Sequence, residues 1–298
     1  MGEVLADSIY SQYCRELRTS IARSLRTGKG KPENENSFST FIPLWTLVHG
    51  LRDVSNVPNP TKLMLMSYLR ESGNLPGFID VSRDHRIERS FNVELQGAHQ
   101  AMLFTSYFDE LISDSLLFVN AFHLNNYRGC MIALRCMLED LYRHLYYKDN
   151  REHFIRVHEL GVSENELKLA PATFRGYLES ASYLKVLNNL KWKYTLVGKP
   201  IDGLQKLNTA LYGKTSASVH GSAPKTLNGF ESNLDFEFNK SKADEILSVA
   251  GMMNELSVAF LCCGHLDQFS RFNETTKRIV VEAFLGKKRS EFRTAIRI

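Results

Sequence analysis

The sequence predicts an all-α fold, a multi-helix bundle with an amino-terminal helical extension. Apolar residues recur at three- and four-residue spacing through several long segments. Asn, Ser, Pro and Gly stand where those segments open and close. Nowhere does a clean alternation of strands with crossover helices run along the chain.

Residues 1–25 place Val4, Ile9, Leu17, Ile21 and Leu25 among polar groups, a pattern for an amphipathic helix. "TGKGKPENENS", 27–37, concentrates Gly, Pro and short polar side chains and predicts an exposed connection. "FSTFIPLWTLVHGLRDV" is apolar, with Pro43 near a helix start, and "NPTKLMLMSYLRESGN" offers a second helix opened by Pro60 and closed near Gly73. The less periodic residues 74–93 form the predicted boundary between an amino-terminal region, 1–93, and a helical bundle, 94–270. They carry Arg83, His85, Arg86 and Arg89, which suit a solvated linker or a nucleic-acid contact.

From Glu94 to Asn126 the apolar positions predict one or two helices, and Asn125 or Asn126 starts the next. In that helix Cys130, Leu134, Met137, Leu141 and Leu145 fall on one packed face. Ser163 and Glu166 of "SENE" match a capping box. Residues 174–196 predict one or two helices, "PIDGLQKLNTALYG" another, and "SAPKTLNGFESNLDFEFNKS" a long loop. Helical patterning returns in "KADEILSVAGMMNELSVAFLCCGHLDQF" despite Gly251, and again in "NETTKRIVVEAFLG". Residues 271–298 read as a basic carboxy-terminal helix and tail.

Of the 298 residues, 43% are hydrophobic and 23% charged, enough apolar matter for a sizeable core and too much for a disordered chain. The formal charge of +4 is uneven: the first 32 residues carry +3 and the last 28 carry +5. Such ends suit either nucleic acid or ordinary solvated surface. Five cysteines without CxxC spacing point to a reducing compartment. The amino end lacks the pattern of a secretory signal, and no run reaches the 18 apolar residues of a membrane span, so a cytoplasmic protein without a membrane partner is expected.

Two segments concentrate chemistry. In "MIALRCMLED", Glu139 follows Arg135 by four residues and shares its helix face. The pair is either structural or the border of a pocket in which Arg135 meets phosphate. In "LYGKTSASVHGSAP", Ser216 and His220 are also four apart, and Gly221 and Pro224 supply a break after His220. His220 either ends a helix or serves a pocket as a proton carrier. No GxSxG elbow and no GxxxxGK[ST] loop accompanies these residues. "CCGH" sets Cys262 and Cys263 near His265 without a second compact ligand pair, so no metal is expected there.

Together, "RGCMIALRCMLEDLY" and "LYGKTSASVHGS" resemble the HEPN superfamily, in particular divergent members with an internal Arg and Glu on one helix and a Ser-x-x-x-His-Gly segment on another. The resemblance spans roughly residues 94–270. It implies a helical bundle, often a homodimer, that cuts RNA without metal or other cofactor, or a non-catalytic module that binds RNA or protein. It also implies a prokaryotic toxin or phage-defence setting, with a cognate antitoxin or defence protein as partner. The roles it implies are charge stabilisation at phosphate by Arg135 with Lys214, support of Arg135 by Glu139, proton transfer by His220, and orientation by Ser216. The superfamily's Arg ahead of His is replaced here by Gly213, Lys214 and Thr215. On an ideal helix Lys214 points about 120° away from His220.

Overall fold

A computed structural model of the chain describes residues 31–54, 104–158, 160–181, 184–220 and 238–297. Apart from one two-stranded hairpin, the regular structure of these residues is helical. The predicted helices at 1–25 and 59–73, the basic cluster at 83–89, the boundary at residue 93 and most of the loop after Gly221 lie outside them.

The chain runs through α1 (Lys31–Ser39), α2 (Ile42–Val54), a π-helical turn (Phe104–Phe108), α3 (Asp109–His123), α4 (Tyr127–Asp149), α5 (Arg151–His158), α6 (Pro171–Ser180) and the short α7 (Lys185–Asn188). Strands β1 (Lys193–Leu196) and β2 (Lys199–Asp202) follow, then α8 (Leu204–His220), α9 (Lys240–Gly264), α10 (Leu266–Ser270), α11 (Glu274–Val281) and α12 (Lys287–Ala295).

Helix α4 is the hub. Asn126 caps it by accepting the Gly129 N–H at 2.9 Å, and Cys130, Leu134, Met137, Leu141 and Leu145 are buried as their spacing predicts. Its neighbours are α3, α6, α8 and α9. Helix α9, capped by Asn239 on the Lys242 N–H at 3.0 Å, runs through Gly251 without interruption. It is apolar on nearly every face and therefore central. By length and composition it would also pass for a membrane span, but 83% of its apolar window is buried inside the protein. Helices from all three predicted regions contribute to one core: Leu44 and Leu47 of α2, the α4 face, and Val280 and Phe292 near the carboxy end.

Several expectations are corrected. Residues 31–39 form α1 instead of an exposed connection: Pro32 sits in the first turn, where its missing N–H is not needed, and Glu33 is bound by Lys240 of α9 at 2.5 Å. Residues 193–202 form a β-hairpin where helix was expected. Val197 at φ 51° and Gly198 at φ 74° make a two-residue turn whose twist suits paired strands, and Tyr194 and Leu196 alternate into the core. The basic carboxy end is docked: Trp192 donates to Glu291 at 2.8 Å and packs its ring on Phe284, whose centroid is 5.3 Å away.

"SENE" opens a turn instead of a helix, although the Glu166 N–H does reach Ser163 Oγ at 3.2 Å. Glu164 instead turns to α4, accepting from Arg143 Nε at 3.0 Å and Nη2 at 3.2 Å and from the Tyr147 hydroxyl at 2.9 Å.

Between α3 and α4 the carboxyls of Asp114 and Asp140 hydrogen-bond to each other. Burial, then the Asp114 charge, push Asp140 up to about 8, while Arg143 opposes the rise and Glu110 adds to it. The folded pair therefore holds a proton that an unfolded Asp, near 3.8, has released. The stability this proton contributes is complete below about pH 4 and is lost as pH rises through about 8. Asp140→Asn keeps a hydrogen bond to Asp114 and needs no proton. It is expected to raise stability over wild type by about 1–2 kcal/mol at pH 8.5, after allowance for partial solvent screening, with little gain at pH 4.5. Urea unfolding at the two pH values checks this; equal gains at both would contradict the shared proton.

Candidate functional site

The buried stripe of α8, Leu204, Leu207, Leu211 and Thr215, fixes how the helix is rotated against the bundle. Thr215 is wholly inside and returns its hydroxyl to the Leu211 carbonyl at 2.9 Å. Tyr212 and Ser216, one helical turn apart, flank this stripe on the side of α4. Tyr142 of α4 fixes the same register from below, donating to Asn208 Oδ1 at 2.5 Å.

Arg135 crosses the gap between the two helices. Its Nε donates to Glu139 Oε1 at 2.7 Å, and its Nη1 donates to Ser216 Oγ at 2.8 Å and, at 3.5 Å, to the Tyr212 carbonyl. The guanidinium carbon lies 3.5 Å from the centre of the Tyr212 ring. With 5% of its surface exposed, Arg135 is a buried charge whose donors are directed by one carboxylate, one hydroxyl and one aromatic face.

Of the five residues singled out in the sequence, Arg135, Glu139 and Ser216 come together in one hydrogen-bonded unit. His220 is the last residue of α8, one turn beyond Ser216, and its side chain lies outside the described set. Lys214 does not join them. It leaves the opposite flank of α8 and binds Glu245 of α9 at 2.7 Å, as its angular offset from His220 on an ideal helix requires. The charge-stabilising role expected of Lys214 at the same phosphate as Arg135 is therefore not supported by its placement.

Residues that the sequence did not single out complete the surroundings. Arg143, one turn after Glu139, reaches Glu139 Oε2 at 3.4 Å while holding Glu164 with two donors. Ser216, Arg135, Glu139, Arg143, Glu164 and Tyr147 thus form a continuous polar ladder across three segments. The four-residue spacing of Arg135, Glu139 and Arg143 was a signal that could have found its middle. Arg175 of α6 also approaches Tyr212, 4.8 Å from the ring centre.

Histidine and cysteine clusters lie elsewhere. His265, at the end of α9, meets His144 of α4 with their Nε2 atoms 2.8 Å apart in the core. Cys262 and Cys263 are buried, which pushes both thiols up, Cys263 to about 12. Among the described residues no group of three or more His, Cys, Asp or Glu side chains is arranged to hold a metal ion.

Comparison with protein-family models, with curated proteins and with solved structures finds no match to this chain.

Proposed function

We propose that the chain is an RNA-directed helical protein that cleaves RNA without a metal at the carboxy-terminal end of α8. One observation carries the reading: the Arg135 to Ser216 hydrogen bond joins segments 81 residues apart and does so one turn before His220. Arg135 occupies an acceptor position of Ser216 Oγ, leaving the serine proton available to donate toward the next turn. In this account Glu139 and Arg135 are positioning residues, and Ser216 orients His220. The imidazole takes the proton of a 2′-hydroxyl as that oxygen bonds to the neighbouring phosphorus. The P–O5′ bond breaks and the same proton passes to the leaving oxygen, giving a 2′,3′-cyclic phosphate and a 5′-hydroxyl. The resemblance to HEPN proteins supplies the RNA substrate class, the homodimer and the toxin or phage-defence setting, and the cysteine usage supports a cytoplasmic location.

A second reading is favoured by the burial of Arg135 and its closure by Glu139 and Ser216, which leave that guanidinium little capacity for phosphate. It is a non-catalytic module that binds RNA or a partner protein. Incubation of single-stranded RNA with the protein in EDTA separates the two. Cleavage to cyclic-phosphate ends, slowed about 100-fold or more by His220→Ala, is expected. Equal cleavage by both proteins overturns the mechanism, and binding without cleavage by wild type selects the second reading.

A further inference from the structure

Arg175 differs from the other cations around Tyr212. Arg135 is bound by Glu139 and Ser216, Lys214 by Glu245, and Arg143 by Glu164 through two donors. Arg175 Nε, by contrast, is buried without a hydrogen-bond partner among the described residues. Glu179, on the next turn of α6, pairs with it only at 3.7 Å, beyond hydrogen-bond distance, and Glu179 Oε1 is approached as well by the Thr209 hydroxyl at 3.5 Å. Contact with the Tyr212 ring holds the guanidinium in place without giving Nε a hydrogen-bond acceptor.

A positioned guanidinium whose Nε is unpaired and whose side chain is 29% exposed suits an oxyanion that accepts two hydrogen bonds in one plane. Its location narrows the ligand. Tyr212, Ser216 and His220 are successive four-residue steps on one side of α8, so the ring that carries Arg175 lies about 12 Å along the helix from His220. A phosphodiester chain running along that side would place one phosphate at His220 and another, a nucleotide or two away, at Arg175.

We infer that Arg175, presented by Tyr212 and restrained by Glu179, is the backbone-phosphate subsite of a single-stranded nucleic acid lying along α8. The inference rests on the RNA reading above for the identity of the ligand. Arg175 acts on binding and register and has no part in proton transfer. Glu179 competes with the phosphate for it.

The test uses the full chain and a fluorescently labelled single-stranded 2′-O-methyl RNA, which carries the phosphates but cannot be cut through its 2′-oxygen. Arg175→Gln is expected to weaken binding about tenfold and to reduce the slope of log affinity against log salt by about 0.7, the loss of one single-strand phosphate contact. Arg175→Lys restores the slope while leaving affinity short of wild type. Glu179→Gln strengthens binding a few-fold, an effect that loss of structure would not produce. Wild-type affinity and slope in Arg175→Gln, or no binding by wild type, overturns the subsite. Arg175-dependent binding of this probe beside intact unmodified RNA overturns cleavage alone and leaves the subsite standing.

Discussion

Arg135→Met lowers the stability of the fold by about 3 kcal/mol, read from urea unfolding at pH 7. Arg135 is buried, its Nε donates to Glu139 at 2.7 Å and its Nη1 to Ser216 at 2.8 Å. Methionine fills much of the volume against the Tyr212 ring, so the loss is one of charge and hydrogen bonds more than of packing. Removing one member of a buried ion pair strands the other, and that unpaired charge sets the size of the effect. Arg143, 3.4 Å from the second Glu139 oxygen, limits the loss, which places the expectation at the lower end for a buried pair. A change below about 0.5 kcal/mol would show that Arg135 does not join α4 to α8.

The second large effect is acid sensitivity centred on His265. With the two Nε2 atoms 2.8 Å apart, one imidazole donates and the other accepts, an arrangement that protonation of the accepting nitrogen destroys. Burial, assisted by the Lys148 charge and opposed by Asp149, drives His265 down to about 3 from an ordinary 6.5. Phe108 stacks on His144 with ring centres 4.2 Å apart, closing the site with an apolar face. The sign follows from a folded value below the unfolded one. Stability is complete above about pH 6.5 and is lost as pH falls toward 3, because the unfolded chain takes up the proton and the folded chain does not. Between pH 6.5 and pH 4 this one group costs about 3 kcal/mol. Unfolding measured at both pH values should show a distinctly smaller loss for His144→Phe/His265→Leu than for wild type. Identical losses would show that the histidine pair does not drive the acid limb.

Local physics made the long helices legible. On α4 the positions Cys130, Leu134, Met137, Leu141 and Leu145 repeat at helical spacing and all are buried, and Asn126 accepts the N–H that a helix start leaves unpaired. The β-hairpin was not legible, because Tyr194 and Leu196 provide only two alternating inward positions. The left-handed backbone at Val197 and Gly198 overrides what reads as a continuing helical stretch. Helix α1 is short and largely polar, with Pro32, Asn34 and Asn36 among its nine residues, and its contacts include sequence-distant partners such as Lys240 at Glu33.

The candidate site divides in the same way. The Arg135 and Glu139 pair follows from a four-residue spacing within one helix, and the separation of Lys214 from that pair agrees with its angular offset from His220. Contact of Arg135 with Ser216, and of Arg175 with Tyr212, depends on how α4, α6 and α8 pack, which no local spacing encodes.

A double-mutant cycle between Arg135→Met and Ser216→Ala tests the joining of the two segments most directly. A charge-assisted hydrogen bond at 2.8 Å predicts that the double variant loses about 1 kcal/mol or more less than the sum of the single losses. Additivity to within about 0.3 kcal/mol would contradict it and separate Arg135 from the end of α8 that carries His220.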